Sequence, residues 1–295
     1  MNPSTSTSNS EPLKILNVNL YEGYASYPIR AFFGNEPIAD PDLYYEIEDE
    51  SICEISNNMA IPLQIGTSQV IASTDDGRET TFIVRVKSHT ELRFHADVLS
   101  REEEFNLTVN PDPSPTLFIG DSFFDPRVFW RSFYDDFEGL NCFSAGISGS
   151  KADDWIHFRK RLIDNISPKQ IVMHIGTNDV NDSEKPTFKP LDYYKQITRF
   201  LDLVLSESPD VKIYFFGIEN RSGSSGYESK NLYVEAVTKM IEEEFAPAYS
   251  NQFVYMDSPA VFNADQQRYL SSDGIHPSPE GYAYYVSFLK GLLEF

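Results

Sequence analysis

Between Leu13 and Val109 apolar and polar residues alternate with a period of two. The runs ILNVNLYEGY, LYYEIED, TSQVIAST, TTFIVRVKS and FNLTV alternate or gather β-branched and aromatic residues, and the groups FGNEP, NN, DDG and REEE separate them. Short strands at that spacing, with no helical stretch between them, predict an antiparallel β-sandwich over residues 13–110. The Ser, Thr, Asn and Pro residues ahead of it, 1–12, bring too little apolar surface to order themselves and are expected to form a disordered tail. At 111–115 the sequence PDPSP can continue neither a ladder nor a helix, so it reads as an extended, fairly stiff linker.

Beyond the prolines the pattern changes. TLFIG, LNCFSAG, QIVMHIG, VKIYFFG and QFVYMD are short apolar runs. The segments between them, RVFWRSFYDDF, DDWIHFRKRLIDN, LDYYKQITRFLDLVLSES and ESKNLYVEAVTKMIEEEFA, carry helical periodicity, and a last helix is expected from Glu280 to about Leu293. Strands that alternate with helices predict a five-stranded parallel sheet covered on both faces, a three-layer α/β/α domain of flavodoxin-like type over 116–295. In such a sheet the strand-to-helix loops gather at one edge, so loops far apart in sequence meet in space.

Composition sharpens the picture. The 295 residues are 41% hydrophobic and 14% aromatic, enough for two cores. A formal net charge of −21 disfavours nucleic acid and anionic membrane surfaces as partners. No apolar run approaches the roughly 20 residues that span a bilayer. The start, MNPSTSTSNSEP, has neither the basic nor the apolar segment of a signal peptide. Cys53 and Cys142 fall in different expected domains and read as free buried thiols rather than a disulfide.

Four loops of the second domain carry unusual residues. Gly120-Asp121-Ser122 follows its first strand, SAGISGS with Gly146 the second and Gly176-Thr177-Asn178-Asp179 the third. DGIHP, Asp273 to Pro277, precedes the last helix. Any one block alone reads as well as an ordinary turn. Together, in this order and context, they resemble the SGNH hydrolases, or GDSL esterases and lipases, whose four blocks supply Ser, Gly, Asn and His. The first domain resembles a bacterial immunoglobulin-like module. The run ISNNMAIPLQIGTSQVIASTDDGRETTFIVRV would supply a strand IPLQI, a turn at Gly66-Thr67, a strand SQVIAST and a hairpin at Asp75-Asp76-Gly77. Such a module is expected to act as a spacer.

The chemistry follows residue by residue. A serine hydroxyl needs a base within reach to become a nucleophile. Of five histidines only His276 sits in a compact loop with an acid three residues before it, so one turn can offer the imidazole to Ser122 while Asp273 holds its other nitrogen. The resemblance assigns the oxyanion donors as the backbone N–H groups of Ser122 and Gly146 and the side-chain amide of Asn178. Asp121 and Asp179 are expected to brace these loops. Two departures from the family pattern stand out: Ser144 where Asn is frequent, and Phe123-Phe124 where small residues are frequent. The two aromatics read equally as walls of a narrow acyl pocket or as core. Trp155 and the segment 219–229 are candidates to line the entrance; Arg221 there is a candidate contact to an acidic substrate, though a solvated loop arginine is the stronger reading. His157 and His174 lack ligand-spaced partners, and no zinc, Walker or dinucleotide motif appears, so neither metal nor cofactor is expected.

These readings imply a serine esterase that removes short acyl groups, acetyl above all, from O-acylated carbohydrate through an acyl-enzyme. A lipase, lysophospholipase or thioesterase acting on longer chains is the alternative. So is a glycan-binding or adhesive protein with a vestigial hydrolase domain. Analogy with the immunoglobulin-like module points to the cell surface or exterior, and a cytoplasmic enzyme stays open.

Overall fold

The computed structural model describes residues 11–38, 41–109, 114–185 and 187–293. Most of the expected tail, and residues 111–113 of the proline-rich segment, lie outside these. The chain forms two compact units, Met1–His95 and Ala96–Phe295.

The first unit is built of strands: β1 (Leu13–Ile15), β2 (Val18–Tyr21), β3 (Tyr27–Pro28), β4 (Ala31–Phe33), β5 (Glu36–Pro37), β6 (Tyr44–Ile47), β7 (Cys53–Ser56), β8 (Met59–Pro62), β9 (Gly66–Ser73) and β10 (Glu79–Lys87). Its sheets run β1-β4-β5, β2-β10-β9-β6 and β3-β8-β7. In β9 and β10 every second residue is buried, Ser68, Val70 and Ala72 facing the core from one strand and Phe82, Val84 and Val86 from the other. The alternation thus becomes one wet and one dry face. Asn57 and Asn58, with φ of 49° and 58°, join β7 to β8. That is the backbone a two-residue type I′ hairpin requires.

Three features of this region differ from the sequence reading. Strand β2 pairs with β10 in parallel, Val18 opposite Val84, so the strands are not antiparallel throughout. Side-chain alternation carries no information about strand direction. Gly66 and Thr67, expected to turn, instead open β9 opposite Val86 and Arg85 and lengthen the ladder. Finally REEE and FNLTV, read as a turn and a strand, form helix α1 (His95–Thr108). Its buried residues are Val98, Arg101 and Phe105, at i, i+3 and i+7. A charged residue in the middle of that stripe hides its helical period. Nearly all of α1 belongs to the second unit, whose limit falls well before the proline-rich segment.

In the second unit the parallel sheet has the order β12 (Cys142–Ser144), β11 (Thr116–Gly120), β13 (Gln170–His174), β14 (Lys212–Phe216), β15 (Phe253–Met256). Every residue of β11, β12 and β13 is buried, as strands covered on both faces require. The helices are α2 (Phe133–Asp136), α3 (Ala152–Arg159), α4 (Pro190–Glu207), α5 (Glu228–Met240), α6 (Ala246–Ala248), α7 (Ser258–Ala264), α8 (Gln266–Tyr269) and α9 (Pro279–Leu292). This is the α/β/α fold expected. The segment RVFWRSFYDDF keeps only α2 as helix. Trp130 Nε1–H and Ser132 Oγ–H both donate to Asp136 Oδ2 at 2.8 Å and draw the rest into turns. Strand β11 has β12 on one side and β13 on the other, so the connections diverge beyond its carboxyl end. A crevice opens at such a switch point. Ser122 lies there.

Candidate active site

Strand β11 ends at Gly120 with φ +147°, where a Cβ would stand 1.8 Å from the His174 carbonyl oxygen. Only glycine lets the chain leave the sheet this close to β13. Asp121 then caps a short 3-10 turn, Ser122–Phe124, its Oδ1 accepting from the Phe123 N–H at 3.1 Å. Ser122 is the first residue of that turn and 6% exposed.

The DGIHP loop is closed on itself. Ser271 N–H donates to the His276 carbonyl at 2.7 Å and Gly274 N–H to that of Ser271 at 3.0 Å. Asp273 Oδ1 accepts from the N–H groups of Ile275 and His276 at 2.8 and 3.0 Å and from Ser271 Oγ–H at 2.8 Å. Its Oδ2 faces His276 Nδ1 at 2.6 Å, and His276 Nε2 faces Ser122 Oγ at 2.8 Å. Partial burial pushes the Asp273 carboxyl upward, but hydrogen bonds, that of the His276 ring foremost, hold it well below the usual carboxylate range. An ionised carboxylate only accepts, so the imidazole proton sits on Nδ1 and Nε2 is left to accept from the serine hydroxyl. The Phe129 ring stacks on the imidazole with centroids 3.5 Å apart and planes 15° apart. Ser278 Oγ accepts from Gly281 N–H at 3.1 Å and starts α9 just behind the loop.

The remaining expected residues lie on the neighbouring loops. Gly146 follows β12, and a Cβ on it would meet the Phe124 carbonyl oxygen at 2.1 Å. Among the described hydrogen bonds, neither Ser122 N–H nor Gly146 N–H is used. Asn178 is partly exposed and gives one amide hydrogen to the Ser150 carbonyl at 3.1 Å, which leaves the other. Asp179 is buried and accepts from the Ala152 N–H at 3.2 Å, fastening the start of α3 to this loop. Complete burial pushes its carboxyl up to about 7, against that hydrogen bond.

Residues 118–284 match the profile of the GDSL-like Lipase/Acylhydrolase family, more than half of the chain. The chain belongs to this family. Solved structures agree on the fold. A GDSL-like lipase from Bacteroides thetaiotaomicron is 20% identical over 68% of this chain and 97% of its own, with a TM-score of 0.52. A Streptococcus pneumonia protein provisionally named a platelet activating factor is 19% identical over 68% and 92%, with a TM-score of 0.54. An acetylxylan esterase from Geobacillus stearothermophilus reaches a TM-score of 0.45 at 21% identity over 61% and 95%, too little to carry an argument. No curated protein matches the chain.

Within this acylhydrolase the four residues named as candidates to line the pocket or its entrance are all buried. Phe123 is 1% exposed and stacks on His174 with centroids 4.0 Å apart, and Phe124 is fully buried beside Trp130 and Phe216, so both are core. Trp155 has no exposed surface and donates Nε1–H to Ser150 Oγ at 3.0 Å, which removes it from the entrance. Arg221 is also buried. Its guanidinium donates to the Thr177 carbonyl and to Asn181 Oδ1 and lies over the Tyr227 ring, so it braces these loops from within the fold. Ser144 donates Oγ–H to the Phe124 carbonyl at 2.5 Å and so ties the glycine loop to the serine turn.

Sequence reasoning passed over a buried charge cluster behind that turn. His174 Nε2 bonds Glu219 Oε2 at 2.8 Å, and Glu219 Oε1 accepts from Ser258 Oγ–H at 2.7 Å and Tyr285 O–H at 2.5 Å. Burial disfavours the imidazolium, but Glu219, with Asp121 at 3.7 Å from Nδ1, pushes the His174 pKa up to about 9. Glu219 sits at the head of a polar, glycine-rich segment, which reads as a solvated loop. No sequence signal marks it as buried. Among the described residues no group of three or more His, Cys, Asp or Glu side chains is placed to hold a metal ion.

Proposed function

We propose that this acylhydrolase is a serine esterase in which Ser122 is the nucleophile, His276 the general base and Asp273 its orienting acid. The observation that carries the reading is the unbroken hydrogen-bonded chain from Ser122 Oγ through the imidazole to Asp273. His276 takes the serine proton as Oγ attacks the ester carbonyl and returns it to the leaving alcohol. Water activated by the same nitrogen then releases the acid from the acyl-enzyme. Ser122 N–H, Gly146 N–H and Asn178 Nδ2–H would receive the oxyanion. Asp121 and Asp179 hold the loops that present them.

The substrate class we favour is O-acetylated carbohydrate, with the first unit, of immunoglobulin-like type, as a spacer. Phe123 and Phe124 fill the interior behind Ser122, so an acyl chain cannot run into the sheet and a short group fits best. One observation favours longer chains instead: Phe129 stacks on His276 and puts apolar surface next to it, and Val128, its neighbour in the chain, is 45% exposed. Hydrolysis of p-nitrophenyl esters from acetate to palmitate decides between them. The reading expects acetate to be turned over fastest, with a steep fall by butyrate, and acetate release from acetylated xylan. Rates rising with chain length would replace it by the lipase reading. Tight glycan binding without turnover of any ester would replace both by a binding protein.

A further inference from the structure

Gly146 is expected to aim a backbone N–H at the oxyanion, yet glycine is the residue whose backbone is least restrained by its own side chain. What restrains it here is a set of hydrogen bonds around the loop. Ala145 N–H donates to the Phe118 carbonyl at 2.8 Å and Ile147 N–H to that of Gly120 at 3.0 Å. Ser148 N–H and Oγ–H donate to Asp125 Oδ2 at 3.1 and 2.8 Å. The carbonyl of Gly146 itself is held by Arg101, through Nε at 3.3 Å and Nη2 at 3.2 Å.

Arg101 has no exposed surface. It comes from α1, ahead of the residues that match the family profile. Its Nη2 also donates to Asp125 Oδ1 at 2.7 Å and its Nη1 to Glu104 Oε2 at 2.5 Å. Asp125 lies three residues past Ser122, so a single guanidinium links the serine turn to the glycine loop. Burying an arginine is costly unless it is hydrogen-bonded, and each of its three nitrogens donates here to a carbonyl or a carboxylate.

We propose that Arg101 is a positioning residue of the esterase site, anchoring the Gly146 carbonyl and so limiting rotation at Gly146, such that the N–H on the preceding Ala145–Gly146 peptide points at the developing oxyanion, and that α1 is therefore a working part of the catalytic unit. The inference rests on the esterase reading. Lysine cannot replace the fork, because one ammonium does not reach the carbonyl and both carboxylates in a plane.

The test compares phenyl acetate with phenyl thionoacetate. Sulfur is a weaker hydrogen-bond acceptor than oxygen, so the ratio of the two kcat values reports the oxyanion contacts and does not depend on how much enzyme is folded. Wild type and Ser122→Ala establish first whether the full chain is an esterase at all. Loss of hydrolysis in Ser122→Ala supports that reading, and its persistence overturns the reading and with it the inference. Arg101→Ala and Arg101→Lys are then expected to lower kcat on phenyl acetate about tenfold, short of the 10²–10³ that loss of a whole oxyanion donor costs. KM should change little, the preference for the oxygen ester should fall, and added methylguanidinium should partly restore kcat in Arg101→Ala. Arg161→Ala breaks the bond from Arg161 Nη1 to Glu102 Oε2, 2.7 Å long, which fastens the same helix without touching the loop. It should leave the oxygen-to-sulfur ratio unchanged. If Arg101→Ala is not recovered folded, Arg101→Lys carries the comparison. An esterase in which the folded Arg101 variant keeps the wild-type ratio overturns the proposal, as does an equal fall in Arg161→Ala.

Discussion

At the scale of single residues the site depends on one imidazole being held still and in one tautomer. Asp273 does this from the Nδ1 side and Phe129 from the ring face. The carboxylate is 44% exposed, so water can reach it, and it owes its low proton affinity to hydrogen bonds rather than to exclusion from solvent. Asp273→Asn keeps the shape of the loop but offers an amide that can force the imidazole proton to the wrong nitrogen. Its kcat on p-nitrophenyl acetate should drop by roughly 10²–10⁴ with the fold intact. Phe129→Ala removes the stacked ring but no proton partner, so a loss of about tenfold in kcat is expected, with KM for acetate esters nearly constant. That Ser122, His276 and Asp273 come together was legible in the sequence because each sits in a short block whose spacing has chemical meaning. Phe129 and Arg101 were not, since neither stands in such a block and each acts by a contact that only folding creates.

At the scale of elements, period two in β9 and β10 and the apolar runs of β11, β13 and β14 were read correctly because burial imposes them directly. Strand direction at β2 and the identity of α1 were hidden. The first leaves no mark on side-chain order, and the second has a buried arginine where an apolar residue would have revealed the stripe. Buried charge also governs the end of β13. His174 keeps its proton in the native state up to about 9 but only to about 6.5 when exposed. Below pH about 6.5 both states hold the proton and the pair contributes in full. As pH rises toward 9 the unfolded chain releases the proton while the native one retains it, and stability falls. The melting temperature should therefore decline by several degrees between pH 6.5 and 9. The double variant His174→Gln, Glu219→Gln, which removes the charge pair together, should lose most of that slope. An unchanged slope would mean that His174 is not protonated in the native state.

At the scale of the whole molecule the two compact units and the family match do not divide the chain at the same place. The profile begins inside β11, and the proline-rich segment lies just ahead of it, yet α1 belongs with the second unit and supplies Arg101. A chain of residues 96–295 should fold and keep most of the acetate esterase activity. One beginning at residue 114 lacks the arginine and leaves Asp125 buried without its nearest partner, 2.7 Å away. It should be recovered poorly, or with kcat at least tenfold lower. Circular dichroism and ester hydrolysis on the two shortened chains check this, and equal activity in both would make α1 dispensable.

The proposed role of Ser122 is that of a nucleophile activated by His276. Labelling of the full-length protein with a fluorophosphonate, followed by peptide mass spectrometry, tests it most directly. One adduct per chain is expected, on the peptide containing Ser122, abolished in Ser122→Ala and strongly slowed in His276→Ala. Labelling of a different residue, or full ester hydrolysis by Ser122→Ala, would contradict it.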